Sequence, residues 1–111
     1  NLYDPWGYGY RNCTSWTAFR LSQQGYRSFS YLGNAKLWPS RVPSSWVSYG
    51  KGAQVGDAAV STAGNYGHVM YVEAVNGDGT VTISDYNRSG DGLYRTGTRS
   101  QSGLYFISFP R

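Results

Sequence analysis

Two hydrophobic periods divide the chain. From Cys13 to Gln24 neither Gly nor Pro occurs, and Trp16, Ala18, Phe19 and Leu21 recur at approximately helical spacing. This stretch is expected to form a helix, with Asn12 or Thr14 in the N-cap place and Gly25 as its stop. From Ala58 onward the period falls to two. The segments 58–61, 67–75, 80–86 and 104–109 are rich in β-branched and aromatic residues and are bounded by Gly, Asn, Asp and Ser, the pattern of antiparallel strands. Between the two regions, Asn34 opens a shorter helix carrying Ala35, Leu37 and Trp38, which Pro39 and Pro43 end or interrupt. Residues 1–12, rich in Tyr, Trp and Gly, read as an ordered aromatic loop, and residues 39–57 as a second loop. Residues 88–102 read as a long exposed hairpin loop with at most a short strand near Leu93 to Arg95. Helices first and sheet second make an α+β fold, expected as a single domain over residues 1–111.

Composition narrows the function classes. Charged residues make up only 14% of the chain and aromatics 17%, which favours aromatic-rich strands and turns over a helical bundle. No apolar run approaches the roughly 18 residues of a membrane span. Ten Lys and Arg against six Asp and Glu leave a net charge of +4. The cations are scattered rather than clustered, so a general anionic surface is the expected partner and nucleic acid is not. A start at Asn1-Leu2-Tyr3-Asp4, with neither initiator Met nor signal-peptide pattern, reads as a mature or excised domain. The abundance of Tyr, Ser, Gly and Asn suits a secreted protein, expected to be monomeric.

Candidate chemistry rests on scarcity. The chain has one Cys and one His. A lone thiol forms no internal disulfide, and the two residues fall short of a tetrahedral zinc site, which leaves a nucleophile and its base as their sharpest use. The plainer alternative is a small buried hydrophobe and an ordinary polar residue. Cys13 stands where a loop enters the first helix, and His68 follows a glycine at the start of a strand. Asn76-Gly77-Asp78-Gly79 is a strong hairpin signal. With Gly77 and Asp78 as the central turn residues, His68 faces Asn87 and Met70 faces Asp85, so that His68, Asp85 and Asn87 share one side of the pleat.

A free thiol, with pKa about 8.5, is only a few per cent thiolate at neutral pH, so Cys13 needs help to act as a nucleophile. A helix N-terminus supplies about 0.3 to 1 kcal/mol, and an imidazolium partner must supply more. His68 is that partner, and Asp85 or Asn87 is placed to accept its other ring N–H. The oxyanion of a carbonyl under attack could be held by the Cys13 backbone N–H and the Asn12 side chain, with Tyr8 or Tyr10 a weaker alternative. Trp6, Tyr8, Tyr10 and Tyr66 are the aromatics expected to line a substrate groove. Glu73 falls on the opposite strand face, as a solvated charge or structural partner.

The blocks Trp6-Gly7, Asn12-Cys13-Thr14-Ser15-Trp16, Gly33 through Trp38, Val55 through Val60, Gly67-His68-Val69-Met70-Tyr71-Val72-Glu73 and Asp78 through Asn87 occur in the order seen in the CHAP family of cysteine, histidine-dependent amidohydrolases and peptidases, which the chain resembles over most of its length. The resemblance implies a papain-like α+β fold with N-terminal helices packed on an antiparallel sheet. It implies hydrolysis of an amide in bacterial peptidoglycan, either the N-acetylmuramoyl-L-alanine bond or a stem or cross-bridge peptide bond, by a secreted enzyme or a phage-encoded lysin. The alternatives are an amidase for another small amide conjugate and a catalytically silent wall-binding module. Carried over by position, the nucleophile falls on Cys13, the base on His68, the orienting acid on Asp85 and the adjacent polar position on Asn87. The family commonly has Glu where this chain has the shorter Asp85, which leaves a share of the orienting role open to Asn87. Some members hold calcium through several Asp residues before the Cys. Here Asp4 stands alone, so no metal and no cofactor are expected.

Overall fold

The computed structural model describes residues 3–9, 12–86 and 93–111. Helix α1 spans Cys13–Gln23. Asn12 holds the extended backbone of an N-cap, although its side chain makes no capping hydrogen bond. The far end closes as a Schellman motif. Gly25 adopts φ +79, its N–H donates to the Ser22 carbonyl (3.1 Å), and the Tyr26 N–H donates to the Leu21 carbonyl (3.0 Å). The buried face of α1 is Thr14, Ser15, Thr17, Ala18 and Leu21, while Phe19, expected in the buried stripe, is 43% exposed. Small side chains occupy the contact and let the helix lie close against the sheet.

The shorter helix is a 3-10 helix over Ala35–Ser40 that accommodates Pro39. Asn34 precedes it without a side-chain cap, and Trp38 fills the core, its Nε1–H donating to the Gly33 carbonyl (3.0 Å). A second 3-10 turn at Ser44–Trp46 leads into strand β1, Val47–Tyr49. Residues 39–57 are therefore not loop throughout. Three residues are too few to display a period, and β1 gains its partner only from the distant β6.

Strands β2 (Ala58–Ser61), β3 (His68–Val75), β4 (Val81–Tyr86), β5 (Tyr94–Arg99) and β6 (Tyr105–Ile107) complete the sheet. Its six strands run in the order β1-β6-β2-β3-β4-β5, every pairing antiparallel, and with α1 it forms the expected α+β architecture. Strand β5 corrects the expectation of a loop with at most a short strand. Its Arg, Thr and Gly residues form a polar edge strand in unbroken register with β4, from Val81 opposite Arg99 to Tyr86 opposite Tyr94.

The β3–β4 hairpin departs from expectation twice, and the departures cancel. Its tip is three residues, not two: the Asn76 N–H donates to the Thr80 carbonyl (2.8 Å), so Gly77, Asp78 and Gly79 form the loop. Farther along, the register shifts by one residue between Val72 and Ala74, leaving Glu73 as a β-bulge. Beyond the bulge Val72 faces Ile83 and Tyr71 faces Ser84, the register expected for a two-residue turn, which returns His68, Met70 and Asp85 to one face.

The sheet buries side chains on both faces. Val60, Val69, Tyr71 and Ile107 pack with Ala18 and Leu21 of α1, with Trp38 and with Phe109. Ala59, Met70, Val72, Val81, Ile83, Leu104 and Phe106 form a second cluster on the other face. At the entry to β3, Gly67 has φ +71, and a Cβ there would lie 2.6 Å from the Lys36 backbone nitrogen. The glycine thus admits the bond from the Lys36 N–H to the Tyr66 carbonyl (2.9 Å) that seats the 3-10 helix beside His68.

Candidate active site

The first residue of α1 and the first residue of β3 meet at one end of the sheet. A helix that begins at Cys13 leaves the N–H groups of its first turn without intrahelical acceptors. Trp16 is the first to bond back, its N–H donating to the Asn12 carbonyl (3.1 Å). The half-buried Cys13 side chain lies beside the His68 imidazole and interacts with it. On the other side of the ring, His68 Nε2 lies 2.8 Å from Asp85 Oδ2. This assigns Nδ1 to the sulfur. Asp85 is fully buried, whereas 16% of the His68 side chain remains exposed, enough to reach a bound substrate while its orienting partner stays dry.

Electrostatics follow from that order. Burial works against charge on His68, but hydrogen bonds to Asp85 and Cys13, and the negative charge of both, outweigh it and raise the imidazole from 6.5 to about 9. At neutral pH the ring is a cation. Such an arrangement stabilises a thiolate and keeps an acid ready for a leaving group.

A groove of about 630 Å³ opens over Cys13 and His68, lined also by Asn12, Thr14, Asn34, Ala35, Ser61, Ala63, Tyr66, Gly67 and Arg99. Asn12 borders in addition a second pocket of about 420 Å³, formed by Asp4, Pro5, Trp6, Ser15, Trp16, Phe19 and Tyr86. Of the aromatics expected at the groove, Tyr66 is there and 67% exposed, while Trp6 belongs to the second pocket and packs on Phe29. Tyr8 requires correction. It is 4% exposed, its hydroxyl donates to the Phe29 carbonyl and accepts from the Leu32 N–H (3.0 Å), and burial pushes its phenol above the ordinary value. Asp4 turns it inward, Oδ1 accepting from the Trp6 N–H (3.0 Å) and the Tyr8 N–H (2.8 Å). Tyr8 is therefore core, with no hydroxyl proton to offer an oxyanion. Tyr10 and Asn87 lie outside the described residues.

Two groove residues escaped sequence reasoning. Asn34, read as a helix cap, presents an uncommitted cap position to the groove. Arg99 was hidden in a segment read as loop. A third unforeseen feature ties the elements together behind the site. The Trp16 Nε1–H donates to Ser84 Oγ (2.9 Å), and Ser84 donates to Glu73 Oε2 (2.6 Å). Arg20 donates to Glu73 through Nε (3.0 Å) and Nη2 (2.6 Å). Burial alone would raise the Glu73 carboxyl, but Arg20 and Ser84 hold it below the ordinary range. Glu73 is thus the structural partner of α1, and the bulge aims it there. Trp16 also packs edge-on against Tyr94, with ring centroids 4.9 Å apart.

Comparison with known proteins followed from this geometry. The sequence profile described as CHAP domain matches residues 3–87. The chain is 36% identical over 98 residues to the probable autolysin LDP of Staphylococcus aureus, covering 88% of this chain and 35% of that protein. It is 38% identical over 109 residues to the N-acetylmuramoyl-L-alanine amidase sle1 of Staphylococcus saprophyticus, covering 95% of this chain and 32% of that protein. The crystal structure of an N-acetylmuramoyl-L-alanine amidase from Staphylococcus aureus superposes with a TM-score of 0.76 at 31% identity, covering 92% of this chain and 31% of that one. The chain spans about a third of the length of the curated relatives it matches.

Proposed function

The chain belongs to the CHAP domain family, and on that premise we propose that it is a cysteine amidohydrolase that cuts an amide bond of bacterial peptidoglycan, with Cys13 as nucleophile, His68 as acid and base, and Asp85 as the residue that orients His68. One observation carries the reading: His68, which lines the same groove as Cys13, points Nε2 at the buried Asp85 carboxylate, 2.8 Å from Oδ2. Nothing in a core-packing role for Cys and His calls for a buried acid aimed at the far ring nitrogen.

The reaction follows from the placement. The Cys13 sulfur attacks the amide carbon, and the carbonyl oxygen becomes an oxyanion beside the helix start, where the Cys13 N–H and the Asn12 side chain are the donors at hand. The His68 imidazolium gives its proton to the amide nitrogen as the C–N bond breaks, which leaves a thioester on Cys13 and releases the amine. Water then enters the groove, loses a proton to the now neutral His68 and attacks the thioester. The carboxylic acid departs and the thiolate–imidazolium pair is restored. No step requires a metal or a cofactor.

Two of the relatives are named N-acetylmuramoyl-L-alanine amidases, which supports the bond between the glycan's lactyl group and L-alanine as the target and the extracellular wall as the place of action. The protein is expected to act as a monomer and as one domain. Purified peptidoglycan should release soluble fragments with wild-type protein and none with Cys13→Ala, whose thermal unfolding should remain a single cooperative transition. Undiminished release by Cys13→Ala would sink the assignment. Mass spectrometry of the fragments then assigns the bond: a new N-terminal L-alanine means the amidase, any other new N-terminus an endopeptidase.

A further inference from the structure

Among the described residues, the groove over Cys13 and His68 holds one formal cation that the catalytic steps do not use. Arg99, at the end of β5, is half-buried and lines that groove. It pairs with Val81 as Arg95 pairs with Asp85, so alternation places it on the sheet face of Met70 and Asp85. Its Nη1 donates to Met70 Sδ at 3.5 Å, the only side-chain hydrogen bond it makes among the described residues. A thioether is a weak acceptor, and a guanidinium carries five donors in a planar fork. The contact therefore positions the group without satisfying it. Met70 lies two residues from His68 on the same face, about 7 Å along the strand, so the fork stands about two residues' length along the groove from the base. Among the described residues lining the groove there is no Asp or Glu, and Asn12, Asn34, Ser61 and Tyr66 are neutral.

We infer that Arg99 selects the substrate: its fork receives, bidentately, a free carboxylate carried by the peptide about two residues from the scissile amide. This rests on the reading of Cys13 and His68 as the hydrolytic pair. A carboxylate offers two charged acceptors matched to the fork. A carboxamide at the same place offers one neutral acceptor and turns N–H donors toward the cation. The groove should thus prefer the acid over the amide of otherwise identical peptides.

The test uses paired synthetic peptides that differ only in a free carboxylate or a carboxamide about two residues from the cleaved bond. The ratio of kcat/KM for acid over amide is measured with wild type, Arg99→Gln and Arg99→Lys. Wild type is expected to favour the acid by about 10- to 100-fold, Arg99→Gln to bring the ratio close to one, and Arg99→Lys, a point charge without the fork, to fall between. A wild-type ratio near one, or a ratio that Arg99→Gln leaves intact, overturns the inference. In parallel, tryptophan fluorescence of the Cys13→Ala chain measures binding of both peptides without turnover. Selective binding of the acid with no cleavage by wild type would count against the hydrolytic reading and leave Arg99 standing. Equal binding of both peptides to Cys13→Ala would count against Arg99.

Discussion

His68 concentrates the chemistry in one ring. Its folded-state value of about 9 stands above the ordinary 6.5, so the Asp85–His68–Cys13 pairing stabilises the fold fully below pH 6.5 and fades as pH rises through about 9. In the proposed mechanism the same proton is the one delivered to the leaving amine. The rate of amide cleavage should therefore decline with an alkaline limb near pH 9. In Asp85→Asn, which removes a cause of the upward shift, that limb should move to lower pH and the plateau rate drop by roughly 10²-fold or more; a limb left unmoved in the pH–rate profile would remove Asp85 from its orienting role. At this scale the sequence was informative about type and poor about surroundings. Scarcity and position singled out Cys13 and His68, whereas nothing local distinguished the buried Tyr8 from the exposed Tyr66. The fate of Tyr8 is decided by Asp4, which captures two backbone N–H groups and folds it inward.

Among the elements, α1 carries the proposed nucleophile and β3 with β4 carry the proposed base and its orienting acid, so the site depends on how firmly the helix is tied to the strands. The chain of donors from Trp16 through Ser84 to Glu73, closed by Arg20, is that tie. Glu73→Gln keeps the shape but weakens charge-assisted bonds in a half-buried setting, and should lower stability by about 1 to 2 kcal/mol. The urea unfolding midpoint reads this change; an unaltered midpoint would mean that the tie is dispensable. Elements with a clear period, α1 and β2 to β4, were legible from the pattern of residues. Strand β1 was not, since three residues show no period, and β5 was not, since an edge strand exposed on one side needs no apolar row. The shared face of His68 and Asp85 was legible, although its derivation assumed a two-residue tip and no bulge, two local departures that offset one another.

For the molecule as a whole, long-range contacts assemble the site: its groups come from positions 13, 68 and 85, joined only when the hairpin closes and α1 docks. Arg27 near the end of the helical region donates its N–H to the Pro110 carbonyl (2.7 Å), which brings the C-terminal segment back against it. The net charge of +4 acts over longer distances than any of these bonds. Electrostatic attraction of this kind is screened within about 10 Å at 0.1 M salt. Hydrolysis of intact, anionic walls should thus slow severalfold between 50 and 500 mM salt, while cleavage of a short neutral peptide stays constant; equal salt responses in the two assays would exclude long-range steering. The hairpin has a further consequence, in inheritance. A gene that lost the codon for Glu73 would still set Val72 opposite Ile83 and Tyr71 opposite Ser84, so Asp85 would stay on the face of His68 and only the carboxylate that ties α1 to the sheet would go. The extra residue therefore adds a helix anchor without disturbing the ladder, and lineages should be able to gain or lose it at a cost in stability alone.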